Sequence, residues 1–171
     1  MPAPSSLARI VAHDTDHFVA IWHETVIAVF RGACTLQHVL NISNACKSVL
    51  GERRGDVTYL SVIERASPAP TETVRRELAT WSRDIVSKMA VAVMVTEGGG
   101  FKSALVRGVG VALTTLAPHK VPFKFAGNVE EAAPLIARFL PPKAGGAAEL
   151  ISTVAEVRAR WERGAVNGSV G

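Results

Sequence analysis

The sequence predicts an α/β domain built on a mixed, mostly parallel sheet. Three observations carry this: short β-branched runs alternate with stretches of helical period, Ala90 to Val95 is apolar throughout, and the first two runs stand at hairpin spacing. Strands that alternate with helices pair in parallel through right-handed crossovers. The expected order is β-β-α-β-α-β-α-β-α plus a C-terminal helix, with five strands and an antiparallel hairpin at the N-terminal end.

Each element has its own warrant. His17 to His23 and Val26 to Arg31 are rich in β-branched and aromatic residues, and Glu24-Thr25 between them has hairpin length. From Thr35 the period becomes helical, with Leu36, Val39, Leu40, Cys46, Val49 and Leu50 on one face, Thr35 as cap and Gly51 at the end. Val57 to Ile63 reads as a strand by composition. After Ser67-Pro68-Ala69-Pro70, Val74, Leu78, Trp81, Ile85 and Met89 mark an amphipathic helix that puts Trp81 in the core. Phe101 to Leu116 reads as a third helix weakened by Gly108 and Gly110, and Val121 to Phe125 as the last strand. Asn128 with Glu131 caps a fourth helix that reaches Leu140, with Pro134 a flaw inside it.

The expected layout is a disordered tail over 1–7, one domain over 8–140, a Gly/Ala linker over 141–148, an amphipathic helix over 149–163 and a disordered tail over 164–171. In that last helix Leu150, Val154, Val157 and Trp161 share a face. Large side chains in such a stripe need cover, either by folding back on their own sheet, which is the preferred expectation, or in a homodimer.

Composition narrows the function classes. With 171 residues and 48% hydrophobic residues, the chain holds one sizeable core and is not a disordered segment. No apolar run reaches the roughly 20 residues of a membrane span, and the start lacks signal-peptide character, so a cytoplasmic protein is expected. The formal charge of +4 is dispersed in pairs such as Arg53/Arg54 and Arg75/Arg76, which argues against a nucleic-acid surface. Cys34 and Cys46 read as buried apolar residues rather than a disulfide or a reactive thiol.

Two stretches carry residue types that do chemistry. His13-Asp14-Thr15-Asp16-His17 has metal-site composition, but adjacent residues cannot all converge and no distant His or Cys partner is evident, so a solvated turn and no metal are expected. The turn Gly98-Gly99-Gly100 feeds a helix. Backbone amides of Gly99 and Gly100 with Lys102 and Ser103 form a candidate anion site, although the Walker spacing is missing.

The run Val26-Ile-Ala-Val-Phe-Arg-Gly32 before a capped helix, the strand Val91 to Val95 and the closing Phe123-Lys-Phe-Ala-Gly-Asn-Val-Glu-Glu-Ala-Ala133 together resemble the STAS superfamily. The likeness is to its bacterial branch, similar to the sporulation anti-anti-sigma factor, with a further likeness to CRAL-TRIO lipid-exchange domains. It spans roughly Ala8 to Leu140 of one domain. It implies a non-catalytic module that binds a protein partner, with an apolar-ligand pocket as a variant and no cofactor. The family's regulatory members carry an Asp-Ser-Ser-Gly-like phosphoacceptor. The matching stretch here is Glu64-Arg65-Ala66-Ser67-Pro68-Ala69-Pro70-Thr71, which lacks the Asp and Gly and leaves Ser67 and Thr71 as phosphorylation candidates. The competing reading is a small nucleotide- or phosphate-binding enzyme using the Gly98 to Lys102 turn.

Overall fold

The structure, a computed structural model, describes residues 7–52, 56–99 and 122–167. Its strands are β1 (Arg9–His13), β2 (His17–Trp22), β3 (Thr25–Phe30), β4 (Thr58–Ile63), β5 (Val91–Thr96) and β6 (Phe123–Ala126). Its helices are α1 (Leu36–Glu52), α2 (Glu72–Asp84), α3 (Val129–Ala137) and α4 (Gly146–Asn167). The expected third helix over Phe101 to Leu116 lies outside the described residues.

The six strands stand in the order β1-β2-β3-β4-β5-β6. β1, β2 and β3 pair antiparallel, and β3 to β6 pair in parallel. The sheet therefore has one strand more than the sequence predicts. β1 escapes a composition reading because it is an edge strand whose inward-facing Ile10 and Ala12 are separated by a register shift. Edge strands gain less from β-branched side chains than buried ones do. The hairpin turn is His23-Glu24, one residue earlier than expected, with Trp22 opposite Thr25 and His23 at φ 51°. Histidine is among the non-glycine residues that tolerate this region best.

Alternation along β2 and β3 divides the core into two layers. Val19, Val26 and Ala28 face α1 and α2, joined by Tyr59 and Ala92. Phe18, Ala20, Trp22, Ile27 and Val29 face α3 and α4 with Leu60, Val62, Val93 and Val95. On the first layer Trp81 is buried and meets Tyr59 edge to face at 5.0 Å. α2 gives way to a turn of 3-10 helix at Val86–Lys88, and Met89 reaches the core from beyond it.

The apolar stripe of α1 is rotated from the one the spacing suggests. Val39, Ile42, Ala45, Cys46 and Val49 are buried, whereas Leu36 and Leu40 stay 48% and 50% exposed. On the second layer Leu150, Val154, Val157 and Trp161 are all buried in the chain's own core. The stripe thus folds back, and these residues are covered without a second copy of the chain. α4 begins at Gly146, after a 3-10 turn at Pro142–Ala144. α3 is shorter than expected: Asn128 caps it by accepting the Glu131 amide at 2.8 Å, Pro134 sits on its exposed side, and it ends at Ala137. No helix among the described residues is long and apolar enough to cross a membrane.

Candidate functional site

Phe30, Ile63 and Thr96 stand abreast at the ends of three parallel strands. The residues that follow, Arg31, Glu64 and Glu97, therefore leave the sheet side by side, at the edge where open α/β sheets present their chemistry. α4 lays Arg158, Trp161 and Glu162 across them. Arg158 donates to Glu97 Oε1 at 2.7 Å and to Glu64 Oε1 at 2.8 Å. Arg31 donates to Glu64 Oε2 at 2.8 Å and to Glu162 Oε1 at 3.1 Å. Its guanidinium also stacks over the Trp161 ring at 4.2 Å. Burial pushes the Glu64 carboxyl up, but the hydrogen bonds and charges of Arg31 and Arg158 outweigh it and hold the group below the usual glutamate range.

Trp161 links this centre to the β1–β2 turn, since its Nε1 donates to the Asp14 carbonyl at 2.7 Å. Gly32 allows the close approach there: a Cβ at that position would lie 2.5 Å from Asp16 Cγ. Arg31 and Gly32 both donate their amides to the Asp16 carbonyl.

Beside the turn lie two stacked histidines. His17, at the start of β2, is 0% exposed, and its ring faces His38 at 4.3 Å and Phe30 at 4.9 Å. His38 is in the first turn of α1, where Thr35 and His38 cap each other: the His38 amide donates to Thr35 Oγ1, and the Thr35 amide to His38 Nδ1, both at 3.2 Å. Because Nδ1 accepts, Nε2 carries the ring proton and donates it to Asp14 Oδ2 at 2.7 Å. Asp14 Oδ1 accepts the Asp16 amide. Burial raises the Asp14 carboxyl, and that amide together with His38 and His17 brings it below its ordinary value. Burial, helped by the neighbouring His38, pushes the His17 imidazole down to about 4, so it is neutral near pH 7. Neither of its nitrogens has a hydrogen-bond partner among the described residues.

The residues singled out by sequence fare differently. Ser67 follows β4, is 7% exposed, and donates to the Gly32 carbonyl at 2.8 Å, so its hydroxyl faces the protein. Thr71 is the exposed N-cap of α2 and accepts the Val74 amide. Gly99 is exposed; Gly100, Lys102 and Ser103 lie outside the described residues, and the anion turn with them. Cys34 and Cys46 are free thiols whose pKa burial pushes up to about 12, which removes the reactive-thiolate option. His38 is the distant partner of the Asp14 turn that spacing did not reveal. On a helix one turn past a cap it looks like an ordinary polar residue.

A second feature lies on the opposite side of α1. A groove of about 670 Å³ runs between α1 and α2, with Leu36, Leu40, Leu50, Trp81 and Ile85 among its lining and Lys47, Lys88, Glu77 and Asp84 along its rims.

Fold and site define an α/β protein whose strand-end charges are paired with one another and whose first helix pair leaves an apolar groove open. No protein-family profile, curated protein or solved structure matches the chain.

Proposed function

We propose that this chain is a non-catalytic regulatory module of STAS type, working in the bacterial cytoplasm, that holds an amphipathic helix of a partner protein in the groove between α1 and α2. The observation that carries the reading is the exposure of Leu36 and Leu40, one helical turn apart, beside an apolar groove. A helix would otherwise turn such residues inward, as the rest of α1 does. The 17 residues of α1 give the groove a wall of about 25 Å at 1.5 Å per residue, enough for several turns of a docked helix. Both charge signs edge it, so the matching occupant has an apolar stripe flanked by acidic and basic residues. The strand-end edge supports the non-catalytic part, because Arg31, Glu64, Glu97 and Arg158 bond to each other.

A photo-crosslinker at Lys47, an exposed residue lining the same groove, tests this in cells. The expected adduct is to another protein, at positions recurring every three or four residues, and is lost in Leu36→Asp/Leu40→Asp but kept in Val11→Asp on β1. An adduct only to a second copy, only to a small apolar ligand, or to nothing overturns the reading.

A further inference from the structure

We propose that Asp14, His17 and His38 form a binding site for a divalent transition-metal cation of the zinc class. Each offers a ligand atom, and the three atoms lie within 4.8 Å of one another. Three protein ligands of this type around one open position is a composition that zinc accepts, and two imidazoles with one carboxylate select it over calcium or magnesium. The independent observation is His17. A core ring at that position needs no nitrogens, and a phenyl would stack on Phe30 and His38 equally well. Instead an imidazole is 0% exposed with both nitrogens unpartnered among the described residues, beside a carboxylate and a second imidazole. A buried polar group without a partner is uncommon, and an ion is one of the few things that satisfies it.

The surroundings suit a bound cation. Asp14 is held by the Asp16 amide and its side chain is 47% exposed, so water reaches the fourth position from that side. In the metal-free protein the shared proton lies between His38 Nε2 and Asp14 Oδ2. The cation takes its place, the ring proton moves to Nδ1, and the Thr35 amide is released from that nitrogen. No proton or electron is left over. The site ties the β1–β2 turn to the N-terminus of α1, on the side of that helix away from the α2 groove, and is independent of what the groove binds.

The test uses the full, tag-free chain stripped with chelator and titrated with zinc by calorimetry and with cobalt by visible absorption. The expected result is one equivalent bound, a cobalt spectrum of four-coordinate type, and a shift of the Thr35 amide resonance. Asp14→Asn and His38→Gln, checked for fold by circular dichroism, should each weaken binding about tenfold or more, and His13→Ala should not. If His38→Gln fails to fold, Asp14→Asn still decides, since the Asp14 side chain is 47% exposed. The proposal is overturned by no binding at about 100 μM metal, or by binding that Asp14→Asn and His38→Gln leave unchanged.

Discussion

Arg158 is the side chain through which α4 meets the strand ends, bonded to Glu97 and Glu64 while only 25% of it is exposed. Removing it takes the Arg158 bonds from two largely covered carboxylates: Glu64 keeps Arg31, and no other arginine among the described residues bonds Glu97. A fully buried pair broken this way costs about 3–5 kcal/mol and an exposed one about 0–1. Arg158→Met should therefore lower stability by about 2 kcal/mol in denaturant unfolding. Arg158→Lys should not restore it, because an ammonium cannot make the paired contacts with Glu97. Adding Glu97→Gln to Arg158→Met should recover part of the loss, and strict additivity would sink the network interpretation. Of this centre only the apolar strand runs that Arg31, Glu64 and Glu97 follow were legible in the sequence; the parallel register that brings the three abreast was not. Nor was Arg158, because nothing in helical period says which strand ends a C-terminal helix will cross. His38 stayed hidden for a similar reason, since its burial depends on the angle at which α1 meets β2 and β3.

At the scale of elements, strands buried on both faces were readable from composition, and of the two edge strands β6 was readable and β1 was not. β4 and β5 match the expected runs to within a residue, while β1 went unseen because its alternation spans only Arg9–His13 and breaks at a register shift. In α1 the period was right and its phase only partly so. Val39, Cys46 and Val49 are buried as the spacing predicts, but the spacing also selects Leu36 and Leu40 where packing selects Ile42 and Ala45. Leu36→Ser/Leu40→Ser should accordingly leave the melting temperature nearly unchanged, whereas Ile42→Ala, fully buried, should cost about 2–5 kcal/mol. For α4 the stripe was plain, and the need for cover left two destinations, the chain's own sheet and a second copy, of which packing takes the first. Ending the chain at Pro142 strips Leu150, Val154, Val157 and Trp161 from the core, roughly 6–12 kcal/mol at about 1.5–3 each. That is comparable to the whole stability of an ordinary domain. The truncated chain should be unfolded by circular dichroism and near-native melting would contradict the packing of α4.

For the whole molecule, titrating groups gathered at one edge of the sheet make stability depend on pH in two successive windows. In the metal-free protein His17 is neutral, facing Phe30, His38 and Asp14, and its pKa lies at about 4 against an ordinary 6.5. Between those values the unfolded chain takes up a proton that the folded one refuses, so stability falls as pH falls from about 6.5 to about 4. A displacement of this size corresponds to roughly 3 kcal/mol. Glu64 and Asp14 act lower down: their folded values lie below the ordinary ones, so the stability they contribute above that range is lost as acid protonates them in the fold. Urea unfolding in the presence of chelator, repeated from neutral to acid pH, should therefore show a decline that begins near pH 6.5, well above the carboxylate range. His17→Phe should flatten the upper window and leave the lower one in place, because Arg31, Arg158 and Glu64 are untouched by it. If the wild-type chain instead keeps constant stability down to the carboxylate range, His17 is not held neutral in the fold, and the account of burial at the head of β2 fails.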